Sequence, residues 1–221
     1  MRTIVIGDIH GCYNELVRLI DTLVESGEYD GNVDKLVFLG DYIDRGENSR
    51  LVIKLIRELQ KENENVIALM GNHEDMLIDY LDMRSNDWVW NGHYDTIKSY
   101  KGFDDDFEDD IEWMRNLPLY HEDDNFIYVH AGVDVYKPME EQDRHTLLWI
   151  REEFIYNTKE YYKQVIFGHT PTTHLDGVSK PVYTFTYNVD VDTACVYGGA
   201  LSALIIEDGE IGGFYQIQKE V

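Results

Sequence analysis

Thr3-Ile4-Val5-Ile6-Gly7-Asp8-Ile9-His10-Gly11 opens the chain with four apolar residues, a glycine and then two good metal-ligating side chains. The same order returns at Leu36-Val37-Phe38-Leu39-Gly40-Asp41-Tyr42-Ile43-Asp44-Arg45-Gly46 and at Val66-Ile67-Ala68-Leu69-Met70-Gly71-Asn72-His73-Glu74. Short apolar runs bounded by glycine read as buried strands. A sheet that delivers Asp, His and Asn to one edge builds a metal site, and the planar fork of Arg45 beside it suits a phosphate.

Helical spacing fills the gaps between these strands. Leu16, Leu19, Ile20 and Leu23 fall at i, i+3, i+4, i+7, with Gly27 as a C-cap. Val52, Leu55, Ile56 and Leu59 repeat the spacing after Asn48 or Ser49 as the cap. Glu74 opens a third helix carrying Met76, Leu77, Tyr80 and Leu81. This βαβαβα run predicts a largely parallel sheet flanked by helices. Residues 83–123 are rich in Trp, Tyr, Asn and Asp and read as a cap inserted over the sheet edge. Their acidic run, Asp104 to Asp110, reads as a solvated face or helix start, since it lacks the spacing of a calcium loop. Strand signals return at Phe126 to Val129 and Gln164 to Phe167. From Val182 to Gln218 apolar and polar residues alternate between glycine breaks, which predicts antiparallel hairpins and a second sheet. The expected organisation is one continuous domain over residues 1–221.

Forty-three acidic residues against 19 basic ones give a formal charge of −24. That excludes nucleic-acid binding by general electrostatics and repels anionic membranes. It also repels an anionic substrate, so a phosphate site here must reverse the field locally, as divalent cations do. The two cysteines, Cys12 and Cys195, lack zinc-ligand spacing and read as small buried apolar residues. Such usage suits a reducing compartment. With a first strand that begins at once in place of a leader segment, the expected location is the cytoplasm. The longest weakly polar stretch, Thr193 to Ile206, is too short and too broken to span a bilayer.

Two later strand ends complete the set. Phe126 to Val129 runs into His130-Ala131-Gly132, and Val165 to Phe167 runs into Gly168-His169-Thr170-Pro171. Singly, His130 reads as a hydrogen-bonded core histidine, Asp8 as a helix cap and Asn72 as a turn residue. Together those readings fail, because no packing rule places polar ligands at five strand ends. The inventory suits two divalent ions. Asp8 and His10 hold the first, Asn72, His130 and His169 hold the second, and Asp41 spans both. Such ions lie roughly 3.5–4 Å apart and generate a bound hydroxide near neutral pH. His73 points at the leaving group as general acid, oriented by Asp44, for which a turn-stabilising role competes.

The five blocks resemble the calcineurin-like metallophosphoesterase signature GDxHG, GDxxDRG, GNHE, HAG and GHT. Asp44-Arg45-Gly46 looks specifically like the phosphoprotein phosphatase superfamily. The length and the segment Trp88-Val89-Trp90-Asn91-Gly92-His93 look like bacterial and bacteriophage lambda-type serine/threonine phosphatases. The sister group is the symmetrical diadenosine tetraphosphate hydrolases. The resemblance implies an α/β fold, a four-layer α/β/β/α sandwich with mixed sheets. It implies two divalent metal ions, usually manganese with iron or zinc as alternatives, on Asp8, His10, Asp41, Asn72, His130 and His169. It implies phosphate contacts from Arg45 and Asn72 and a second arginine between HAG and GHT, a place that Arg151 fits. His93 departs from the common NGG and puts a ring near the expected substrate mouth. The implied activity is phosphomonoester hydrolysis by a hydroxide bridging the two ions and attacking in line. Expected substrates are phosphorylated proteins or peptides, or small phosphoesters. The alternative is symmetrical diadenosine tetraphosphate hydrolysis, with Trp88, Trp90, Tyr94 and Tyr100 available to stack on a base. A non-catalytic phosphate-binding module is disfavoured, since the full ligand set and His73 are present. The expected protein is a monomer with no nucleic-acid or membrane partner.

Overall fold

The protein is described here by a computed structural model covering residues 1–101 and 105–220. Among the described residues, ten strands form in chain order: β1 (Arg2–Ile6), β2 (Lys35–Phe38), β3 (Val66–Ala68), β4 (Tyr120–Glu122), β5 (Phe126–Val129), β6 (Gln164–Phe167), β7 (Val182–Tyr183), β8 (Val189–Asp190), β9 (Ala200–Glu207) and β10 (Glu210–Gln218). The helices are α1 (Tyr13–Glu25), α2 (Ser49–Glu62), α3 (Asn72–Leu81), α4 (His93–Ser99), α5 (Asp105–Arg115), α6 (Arg144–Trp149) and α7 (Glu152–Ile155). One sheet has the order β10-β9-β1-β2-β3, the other β4-β5-β6-β8-β7. Both are mixed. β1, β2 and β3 run parallel, as do β5, β6 and β8, while the hairpin strands at the edges run antiparallel.

Side-chain alternation turns these sheets into four layers. Val5, Val37 and Leu39 from the first sheet meet Phe126, Tyr128, Ile166 and Val189 from the second in one apolar cluster. The alternate residues Ile4, Ile6, Leu36 and Phe38 face the other way, onto Leu16 and Leu19 of α1 and Val52 and Ile56 of α2. On the second sheet, Ile127, Val129, Val165 and Phe167 pack on Leu147 of α6 and Phe154 of α7. The α/β/β/α sandwich implied by the motifs is therefore present. Cys12 and Cys195 are free and buried, as expected of small core residues.

One expectation is met in part. The segment from Val182 to Gln218 forms antiparallel hairpins, but only the first of them belongs to the second sheet. β7 and β8 join the second sheet, with β8 parallel to β6, whereas the β9–β10 hairpin extends the first sheet along β1. Alternation reports that a strand has two unlike faces, not which neighbour it pairs with. Within residues 83–123, Trp88, Tyr100 and Met114 lie in the same buried cluster as α1 and α2. The acidic run opens α5 from Asp105, and Asp104 lies outside the described residues.

The two sheets touch backbone to backbone where β1 ends. A Cβ placed on Gly7 would lie 2.3 Å from the carbonyl oxygen of Val191. Only glycine fits, and its smallness brings the loop after β8 against the loop after β1. Just beyond, the chain bends hard. His10, Asp41, Asp44, Arg45 and His169 have φ of 45°, 53°, 70°, 69° and 69°. Non-glycine residues enter this left-handed region at a cost, and they remain there only where surrounding bonds over-determine them.

Candidate metal centre

Those bonds are present. The amides of Ile9 and His10 donate to the Asp41 carbonyl at 3.1 and 2.8 Å, tying the first loop to the second. The buried Glu74 carboxylate accepts from the backbone amides of Asp41 (3.0 Å), Tyr42 (2.8 Å), Ile43 (3.3 Å) and Gly71 (2.9 Å). Glu74 thus clamps the second loop to the third. Burial and then the Asp41 charge push its carboxyl up to about 8, against the pull of the N–H donors. Glu74→Gln turns an amide nitrogen towards two of these donors. Each buried donor left unmet costs about 1–3 kcal/mol, so the variant should lose about 2–4 kcal/mol in urea unfolding. An unchanged midpoint would show that the clamp does not hold the loops.

Asp41 lies at the centre. Its Oδ2 is 3.3 Å from His10 Nε2 and 4.0 Å from His73 Nε2, and its Oδ1 is 3.5 Å from His130 Nε2. Two groups of ligand-type atoms meet around it, His10–Asp41–His73 and Asp41–His130–His169. Asn72 is also there, with Oδ1 2.8 Å from His130 Nε2. Asp8 belongs to neither group. Both its oxygens accept from the His169 amide at 3.1 Å, and burial, then Asp192 and Asp41, push its carboxyl well up.

The donor chemistry fits metal ions. His10 Nδ1 lies 2.8 Å from the Ile43 carbonyl and His130 Nδ1 lies 3.0 Å from the Leu39 carbonyl. Each Nδ1–H therefore donates to backbone and leaves the Nε2 lone pair facing Asp41. Burial lowers the pKa of His10, His130 and His169, keeping them as neutral imidazoles, the ligating form. His130 Nε2 and Asn72 Oδ1 are then two acceptors face to face, an arrangement that a shared cation resolves. His169 Nε2 is buried without a partner. The Arg45 guanidinium sits 2.6 Å from His10 Nε2, a cation on the same lone pair.

His73 is held differently. Its Nδ1 is 2.6 Å from Asp44 Oδ2, and its ring meets His10 edge-on at 4.6 Å. Asp44 is fully buried. Beyond His73, it accepts from Trp88 Nε1 at 3.0 Å and Thr96 Oγ1 at 2.6 Å. The residues at 83–123 thus reach the site through Trp88 and Thr96, neither of which local sequence pattern marked as a partner of Asp44.

A cavity of about 310 Å³ opens beside the centre, lined among others by Arg45, Arg151, His169, Thr170, Asp192 and Tyr197. Arg151 donates to the His169 carbonyl and Thr170 Oγ1, both at 2.9 Å. Arg45 lies over Tyr197, 5.5 Å from the ring centre. His93 is not among the lining residues, and its ring packs on Trp88 at 5.4 Å. A larger cavity of about 680 Å³ between α2 and α5 borders none of the candidate ligands. Among the described residues, no helix is long and apolar enough to cross a membrane.

Comparisons with known proteins agree with this fold. The asymmetrical bis(5'-nucleosyl)-tetraphosphatase of Halalkalibacterium halodurans is 29% identical, over 90% of this chain and 88% of its own. The structure of a candidate diadenosine tetraphosphatase superposes with a TM-score of 0.70 at 20% identity, covering 99% of this chain and 94% of its own. The cold-active protein-tyrosine phosphatase of a Shewanella species does so with a TM-score of 0.68 at 16% identity, covering 98% and 80%. Residues 1–201 match the calcineurin-like phosphoesterase family model, and the chain, whose ligand-bearing loops all fall within that span, belongs to that family.

Proposed function

We propose that this protein hydrolyses phosphate monoesters at a two-ion centre, with phosphorylated serine, threonine or tyrosine side chains as the leading substrate class. The observation that carries the reading is the Asp44–His73 pair, 2.6 Å apart and buried, with His73 Nε2 directed at the Asp41 side of the centre. A positioned general acid contributes most where the leaving group is a poor one, such as an alkoxide. When bound, divalent ions on these ligands activate a water for in-line attack and offset the phosphoryl charge. Asp8 and His10 serve one ion, Asn72, His130 and His169 the other, and Asp41 both. Carboxylate, amide and imidazole donors without thiolate suit manganese, iron and zinc alike, and manganese, usual in the family this chain resembles, is the proposed ion. Arg45 and Arg151 hold the phosphate oxygens from the cavity side, with Asn72 as a further contact. His93 acts on leaving-group preference through Trp88, with which it packs.

A second reading has its own support. The relative from Halalkalibacterium halodurans, matched along most of both chains, is named as a dinucleoside tetraphosphatase. Tyr197, on the cavity rim, is 61% exposed and could stack on a base. A competition assay separates the two. Manganese-loaded protein receives a phosphoserine peptide and diadenosine tetraphosphate together, with products followed by phosphorus NMR. The proposal expects inorganic phosphate with the dinucleotide intact. Adenosine diphosphate alone, or the triphosphate with the monophosphate, would replace it with symmetrical or asymmetrical dinucleotide cleavage.

A further inference from the structure

We infer that Asp192 is a further ligand of the ion held by Asp8 and His10. The inference rests on the two-ion reading and adds a carboxylate that none of the five motifs contains. The two ion positions are unequally provided. Asp41, Asn72, His130 and His169 serve one, whereas Asp8, His10 and Asp41 alone serve the other. Oxygen-preferring divalent ions take more ligands than three, and carboxylate suits them well.

The backbone places Asp192 at the short side. Gly7 meets Val191 at van der Waals limit, so the loop after β8 lies against the loop after β1. A Cβ on Gly168 would lie 2.3 Å from Asp8 Oδ1 and 3.7 Å from the Asp192 Cβ. Asp8 and Asp192 therefore flank one spot of backbone, at Gly168. Asp192 is 5% exposed, yet it lines the cavity with Arg45 and His169. Its Oδ1 accepts from the Ala194 amide at 3.0 Å, and no donor meets Oδ2 among the described residues.

A buried carboxylate oxygen next to Asp192 lacks a partner among the described residues. Asp190, fully buried, accepts from the Asp192 amide with Oδ1 and has no partner for Oδ2. Carboxylates gathered this way out of water are costly without a positive partner, and a bound dication inverts that cost. A turn role explains only the Oδ1–Ala194 bond, which asparagine would keep.

That difference makes Asp192→Asn the test. Manganese titration of the metal-stripped proteins by calorimetry should find two ions in the parent. In the variant one affinity should be kept and the other weakened about 10–100-fold. The visible spectrum of the cobalt-loaded variant should change, reporting altered coordination at one ion, while the metal-free melting temperature stays put. Two ions at parental affinity with an unchanged spectrum would overturn the inference. Should the variant fail to fold, anomalous diffraction at the manganese edge on the parent decides. Asp192 Oδ2 in the shell of one ion supports the inference, and its absence from both shells sinks it alone. Fewer than two ions in the parent would remove both this inference and the two-ion reading. Two ions with Asp192 ligated but no phosphate released from any monoester would leave Asp192 standing and overturn the proposed function.

Discussion

His73→Asn lowers turnover of a phosphoserine peptide by about 10²–10⁴-fold, the usual contribution of a positioned general acid. The same variant should lose far less on an aryl phosphate such as p-nitrophenyl phosphate, whose leaving group departs without a proton. The contrast follows from where the ring sits. Asp44 fixes one nitrogen at 2.6 Å and is itself held by Trp88 and Thr96, so the other nitrogen has one direction to face. Asparagine can still donate to Asp44, which keeps the buried carboxylate paired. Manganese stoichiometry should remain at two ions, since the proposed centre gives His73 no ligand role. Equal losses on the alkyl and aryl esters would show that His73 organises the centre and transfers no proton.

Asp41→Asn should be the more damaging change for metal binding. One carboxylate serves both ions in the proposed centre, and asparagine supplies a single neutral oxygen. Loss of the ions removes several kcal/mol of phosphoryl charge stabilisation, so turnover should fall by about 10³-fold or more. Metal analysis should find at most one weakly held ion. The backbone gives a clean reading of the variant. Asp41 sits at φ 53°, where asparagine is among the best tolerated residues, and its amide and carbonyl bonds to Glu74, Ile9 and His10 do not involve the side chain. The metal-free melting temperature should change little, since the asparagine oxygen can keep the bond that Asp41 Oδ1 accepts from the His73 amide at 3.0 Å. A variant that binds two ions normally would refute the bridging role.

The contrast between Asp41 and Asp192 shows how far local pattern reaches. Asp41 follows an apolar run and a glycine, a signal carried by six consecutive residues. Asp192 sits in a run of alternating residues, Val189 to Thr193, where an aspartate looks like any solvent-facing strand position. Its 5% exposure arises because the loop after β8 lies against the loop after β1, where Gly7 lets the two backbones meet. Arg151 is a middle case. Motif order located it between HAG and GHT, but its anchoring to the His169 carbonyl and Thr170 is a contact across 18 and 19 residues. Glu74 was legible as a helix opener, and its grip on three amides more than thirty residues earlier was not.

By itself the sequence indicated β1, β2, β3, β5 and β6, the helices α1, α2 and α3, and the candidate metal-ligand set. Those depend on short-range periodicity and on residues directly after a strand, where the chain must turn outward whatever lies elsewhere. Only the tertiary structure decided which sheet the last four strands join and that residues 83–123 supply Trp88 and Thr96 to Asp44. It alone brought Glu74, Asp190 and Asp192 in from water. The physical reason is that a buried polar group is defined by its partners, and here those partners come from distant segments joined by the packing of two sheets.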